Sequence, residues 1–244
     1  MIGYNVDKIE ELAKNVAVSY KNMGECMAGG WPQLSRTMEA EWVGPDEVSY
    51  EQELAKNICS LYASCQQTVE QMLTNIRILG NNWKQFQLNN SLEGASVTAG
   101  GLFSKDLEIP NIASYSYDIA SLVKAGNPQF TESMNLGLTN GISSGANIKS
   151  QFDEYIDGVY DRVKKLYTGL DTSSAFLGAE LSSKLTKYLD SMAESLAKLT
   201  TCHKSIYEAL DQLTKRYSTH ESEEANTVAS AETNGIDYQG QNLK

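Results

Sequence analysis

The sequence predicts an all-α protein: two long helical hairpins in tandem, packed as a four-helix bundle within one chain, an intramolecular pseudo-dimer. Three observations predict it. Apolar residues recur at alternating steps of three and four over four long segments, the mark of a buried helical stripe. Each pair of segments is joined by a bend carrying an aromatic residue and, two positions on, a glycine: Trp42 and Gly44, then Phe176 and Gly178. Between the pairs the composition shifts to Gly, Ser and Asn, as in LNNSLEGASVTAGG and TNGISSGAN.

The first stripe is Val6, Ile9, Leu12, Val16, Tyr20, Met23, Met27. MAGGWP at residues 27–32 reads as a break in it, through its Gly-Gly pair and Pro. A short piece, QLSRTMEAEW, leads from there to the bend, where Gly44-Pro45 marks a turn, because proline opens a helix but does not continue one. The stripe resumes at Leu54, Ile58, Leu61, Cys65, Val69, Met72, Ile76, Leu79, Trp83, Phe86. The second hairpin begins with Ile148, Phe152, Tyr155, Val159, Val163, Leu166, Leu170, bends at DTSSAFLGAE, and continues as Leu181, Leu185, Tyr188, Met192, Leu196, Leu199, His203, Ile206, Leu210, Leu213, Tyr217. Sliding the chain on itself sets Trp42 on Phe176, Gly44 on Gly178, Cys65 on Leu199 and Trp83 on Tyr217. Stripe, bend and length coincide, which argues for a duplicated unit.

The expected organisation is therefore a first hairpin over 1–88, a linker over 89–147 with a short helix near Tyr117 to Lys124, a second hairpin over 148–217, and an acidic tail over 218–244 that is disordered after its first residues. One hairpin cannot cover both of its stripes, but two packed together can. In an antiparallel arrangement the linker must span roughly 60 Å for a 40-residue helix. A flexible linker of this length has an end-to-end distance of about 45 Å and a longer maximum reach, so an intramolecular bundle and a swapped dimer both satisfy it.

Composition narrows the partners. The 244 residues carry a net charge of −11, which argues against nucleic acid and against an anionic membrane surface. No apolar run approaches the ~20 residues of a membrane span, and the N-terminal MIGYNVDKIEELAK has no basic segment followed by an apolar one, so no cleaved leader is expected. Cys26, Cys59, Cys65 and Cys202 form neither a disulfide framework nor a zinc motif. Cys65 lies on the apolar seam. Cys26 and Cys59 stand nearly equidistant from the Trp42 bend and would sit level in a hairpin, a minority candidate for a disulfide. There is no phosphate-binding glycine loop, HExxH or GxSxG, and of the two histidines, His203 and His220, the first lies on the apolar stripe directly after Cys202. No catalytic residue, metal or cofactor is expected.

The segment WVGPDEVSYEQEL, on a chain of long helices without a leader, resembles the WXG-motif (early-secreted-antigen-like) proteins of type VII secretion. The resemblance covers residues 4–88 well and 148–221 more weakly, since Phe176 replaces the Trp. It does not cover the linker. Family members are about one repeat long and form dimeric four-helix bundles, so this chain looks like two of them fused. The resemblance also implies a second export element, Tyr-x-x-x-Asp/Glu, past the second helix of one partner and near the WxG turn of the other. YTGLD at Tyr167, YEALD at Tyr207 and YSTHE at Tyr217 match it, and Tyr217 with Glu221 has the expected position at the end of the last stripe.

The resemblance implies a non-enzymatic exported substrate or helper, read by a secretion ATPase or other type VII machinery. Its other partner is a further WXG-like protein or a second copy. It would be secreted without a cleaved signal peptide. The alternatives are an adaptor escorting a larger toxin and an intracellular, cytoplasmic helical interaction protein with no export role. Trp42 reads equally as a plug at the hairpin bend and as part of an address. Phe176, Trp31 and Trp83 read as packing, His203 as a seam residue, and Glu221 with its acidic neighbours also as a solvated tail.

Overall fold

A computed structural model describes residues 3–41, 45–89, 106–123 and 142–233. Asn5 opens the first helix: its side-chain oxygen accepts the Lys8 N–H at 3.1 Å and its carbonyl the Ile9 N–H at 3.0 Å. Helix α1 runs Val6–Glu41 and α2 runs Pro45–Asn89, with the proline at the first helical position, where its missing N–H costs nothing. Helix α3 (Ile142–Lys165) ends in a turn that uses Gly169 in the left-handed region, φ 72°. A one-turn helix, α4 (Thr172–Ala175), capped by the Asp171 carboxylate, leads to α5, Ala179–Thr233. The protein is all-α, and among the described residues extended backbone pairs only as a single rung between Tyr4 and Phe176.

The two hairpins pack on each other within the chain. Trp31 meets Tyr155 edge-on at 6.1 Å between ring centres, Cys26 lies against Gly158, and the Asn5 N–H reaches the Ala175 carbonyl at 2.9 Å. Rising numbers on α1 thus meet falling numbers on α3: the two are antiparallel. Tyr20 stacks on Tyr62 at 5.0 Å and Tyr4 tilts against Trp83 at 6.5 Å, so α1 and α2 are antiparallel as well. Helix α5 folds back along α3 and touches α2. Round the bundle the order is α1, α2, α5, α3.

Four expectations change. Residues 27–32 do not break the helix: α1 passes through Gly29, Gly30 and Pro32 in 36 unbroken residues. A proline inside a helix removes one N–H and crowds the carbonyl four residues back. Here α3 clasps that turn: the Tyr155 hydroxyl donates to the Met27 carbonyl at 3.0 Å while its ring lies over Gly30. Gly30 serves close approach, not a break. Near Tyr117 the chain forms two 3-10 turns, Ile112–Tyr115 and Ala120–Leu122, instead of one short helix.

On α5 the buried line is Ser182, Leu189 and Ala193, one position on from Leu181, Tyr188 and Met192; Tyr188 is 42% exposed. The shift has a polar cause. The buried Thr172 hydroxyl sits 2.6 Å from that of Thr186 and 3.1 Å from that of Ser182, turning this face of α5 towards α4. Finally, α5 continues beyond Ser218 to Thr233, through a stretch rich in Glu and Ala with no glycine or proline before Gly235.

The described part of the linker does run along the bundle. Leu107 lies against Gly80 and the Glu108 N–H bonds the Glu10 carboxylate at 2.9 Å, while Tyr117, ten residues on, lies against Gly24. The core is continuous from Ile9 on α1 to Ile112, Ile119 and Leu122 of this segment.

Candidate functional site

The first bend lies between Glu41 and Pro45. Trp42 and Gly44 fall outside the described residues, as do the side chains of Tyr217 and Glu221. What surrounds the bend is describable. Leu34 and Met38 close the last turns of α1, and Leu54 begins the apolar line of α2. That line extends backwards through Glu51 and Glu47, and both carboxylate side chains are buried, at 5% and 6% exposure. Glu47 stands in the first turn of α2, where the free N–H groups carry partial positive charge and favour a negative one. Burial also pushes the pKa of neighbouring Tyr50 above the ordinary phenol range. The signal was present in the sequence as the spacing 47, 51, 54, 58.

The second bend is closed. Phe176 is fully buried, and the backbone on both sides of it is bonded to the N-terminal segment: Asn5 N–H to the Ala175 carbonyl and Leu177 N–H to the Gly3 carbonyl, each at 2.9 Å. Gly178 has no neighbour where a Cβ would point, so nothing in its packing demands glycine. Of the Tyr-x-x-x-Asp/Glu candidates, Tyr167 is 1% exposed, inside the core, with its phenol pKa raised by burial. The Asp171 of that match caps α4, and its hydrogen bonds with Ser174 and Ser173 hold its carboxyl below the usual range.

The bundle axis relates the first bend to α5. Because α5 starts beside the N-terminus of α1 and runs parallel to it, equal residue counts reach equal heights at ~1.5 Å per residue. The 36 residues of α1 carry it to Glu41. The same count from Ala179 brings α5 to the height of the bend near residue 214, about one turn before Tyr217.

A groove of about 720 Å³ runs between α1 and α3, floored by Gly29, Gly30 and Gly158 and edged by Glu25, Glu154 and Arg162. Its one thiol, Cys26, is pushed up by burial, which Arg162 opposes only in part. Cys26 and Cys59 are both free: the hairpin sets them level, but Cys26 faces α3 while the Cys59 thiol bonds the Ile119 carbonyl at 3.2 Å. Trp31 and Trp83 are packing residues, the first against Tyr155 and the second between Tyr4 and Phe86. Among the described residues no His, Cys, Asp and Glu cluster is arranged to hold a metal ion, and no helix is long and apolar enough to cross a membrane. No protein-family model matches the chain, and no similar protein is found among the curated proteins or the solved structures.

Proposed function

We propose that this chain is a non-enzymatic exported substrate or helper of a type VII secretion system, and that two WXG-like units fused in tandem form its export module. Its address is a composite surface in which Trp42 and Gly44 of the first bend stand beside Tyr217 and Glu221 of α5, read by the secretion ATPase. The observation that carries the reading is the axial register. A long helix from the second hairpin reaches the height of the first bend about one turn before Tyr217, in the same chain. The fold supports it too, since a dimer of short hairpins and this bundle bury the same kind of stripe.

The adaptor reading has one observation in its favour: Leu181, Leu185 and Met192 on α5 are only partly buried and Tyr188 is exposed. That seam has the spacing a further helix would use.

The test compares culture supernatant with cell pellet in the native host for wild type, Trp42→Ala and Tyr217→Ala, each checked for folding by circular dichroism. A host lacking the secretion ATPase is the control. ATPase-dependent appearance outside, with folded variants retained, is the expected result. Wild type retained in both hosts refutes export. Export of both folded variants at wild-type levels refutes the composite address.

A further inference from the structure

Residues 106–123 are seated on the α1–α2 hairpin in a way that passive linkers are not. The hairpin supplies sockets. A Cβ on Gly80 would overlap the Leu107 side chain, and one on Gly24 would stand 3.1 Å from the Tyr117 ring and from the Tyr62 hydroxyl. Both glycines lie inside helices, where glycine costs ~1 kcal/mol relative to alanine. Each is occupied by a side chain of the segment. The hairpin also reads the segment's main chain. The Tyr62 hydroxyl accepts the Tyr117 N–H at 2.8 Å, the Cys59 thiol donates to the Ile119 carbonyl at 3.2 Å, and the Glu10 carboxylate accepts the Glu108 N–H at 2.9 Å. The Tyr117 hydroxyl donates in turn to Glu25 at 3.0 Å. Ile112, Ile119 and Leu122 are buried beneath it.

Side-chain sockets at intervals, combined with hydrogen bonds to backbone N–H and C=O groups, are how proteins bind extended peptides. We propose that the outer groove between α1 and α2 is a peptide-binding site, which the chain fills with its own residues 107–122 as a releasable strap. The ligand it takes is a segment that alternates extended stretches with 3-10 turns, as residues 107–122 do, with apolar or aromatic residues spaced as Leu107, Ile112, Tyr117, Ile119 and Leu122. This proposal stands on packing alone and is independent of the export reading.

An in-cis strap competes at an effective concentration of ~1 mM, so a peptide that binds an open groove at ~10 μM is weakened roughly a hundred-fold by an intact one. The experiment uses a labelled synthetic peptide of residues 106–123 and the full chain carrying Tyr117→Ala with Ile119→Ala. These changes lie in the strap and leave the helices' own core intact. Fluorescence anisotropy should show the peptide binding the loosened chain and binding wild type roughly a hundred-fold more weakly. Adding Gly80→Leu to the loosened chain fills the Leu107 socket from the groove side and should abolish binding, with circular dichroism confirming the helices. Failure of the peptide to bind a folded, loosened chain overturns the proposal. So does equal binding to wild type, or binding that survives Gly80→Leu.

Discussion

Gly29 and Gly30 are neighbours on one helix, yet alanine at the two positions should change stability in opposite directions. At Gly29 a Cβ meets nothing within 4 Å. Alanine there gains only the helix propensity that glycine lacks, ~0.8–1 kcal/mol. At Gly30 the same gain is opposed by a collision: the Cβ would lie 2.7 Å from Cδ2 and 3.1 Å from Cε2 of Tyr155. That ring is held in place. It is 5% exposed, packs edge-on against Trp31 and is tethered through its hydroxyl to the Met27 carbonyl at 3.0 Å. Overpacking of this kind costs ~1–3 kcal/mol. Gly29→Ala should therefore stabilise by about 1 kcal/mol and Gly30→Ala should destabilise by up to about 2, a separation of ~1–3 kcal/mol.

Urea unfolding of the full chain, followed by circular dichroism and tryptophan fluorescence, measures both. The separation corresponds to several degrees in thermal midpoint for a chain of this size. A Tyr155→Leu background completes a double-mutant cycle: with the ring gone, the two alanine variants should converge. If Gly30→Ala is as stable as Gly29→Ala, or its penalty persists without Tyr155, then close approach of α1 and α3 is not why glycine occupies this position.

Two further outcomes follow from buried polar groups. Thr172→Val should cost ~1–3 kcal/mol, because it strips the shared hydroxyl from Ser182 and Thr186 at the α4–α5 junction while preserving shape; a loss below about 0.5 kcal/mol in urea would mean that the hydroxyls are satisfied without it. Alkaline pH should destabilise the fold: burial pushes the Cys65 thiol up to about 12 from 9.0 and raises Tyr20, Tyr155 and Tyr167 above their usual 10.0. These groups stay protonated in the folded chain while the unfolded chain ionises, so their stabilisation is complete below the unfolded values and is lost as pH rises through the folded ones. The urea midpoint should be level to about pH 8.5 and fall by about pH 10.5; a midpoint unchanged over that interval would contradict the burial of these groups.

Much of the bundle is legible in the sequence because large apolar residues announce themselves. The spacing from Ile9 to Met27, from Leu54 to Ile76 and from Phe152 to Leu166 names most of the core on α1, α2 and α3. What the spacing misses is carried by small and polar residues. Ala13, Ala17, Gly24 and Gly30 widen the buried face of α1, which packs on α2, on α3 and on the linker segment, beyond the stripe of large residues. A glycine in a helix reads as a breaker until its neighbour across the interface is known, and Tyr155 is 125 positions away from Gly30. On α5 the stripe is legible but its rotation is not, because the Thr172 hydroxyl sets it through Ser182 and Thr186. Linker residues 106–123 are dispersed among apolar and polar types with no helical period, so their seat on α1 and α2 shows only in three dimensions.

The two aromatic-x-Gly bends, which look alike in one dimension, differ in how much would have to open before a partner could reach them. To expose Phe176, a partner must break the Asn5–Ala175 and Leu177–Gly3 hydrogen bonds and lift Tyr4 from the rung it forms there. A buried aromatic of this size contributes ~2–3 kcal/mol by burial alone, and each backbone bond adds ~1 kcal/mol. That total is a substantial fraction of the 5–15 kcal/mol that holds a typical domain folded. A recognition event so costly is a poor address, so Phe176 serves the fold. The first bend has a different setting: two glutamates, not apolar residues, continue the core line of α2 up to it, and Glu47 stands in the first turn, where free N–H groups favour negative charge. Burying carboxylates at the end of a core lowers stability relative to leucine and is retained where something other than stability is selected. If one end of this bundle is a recognition surface, that asymmetry assigns it to the end where α1 meets α2.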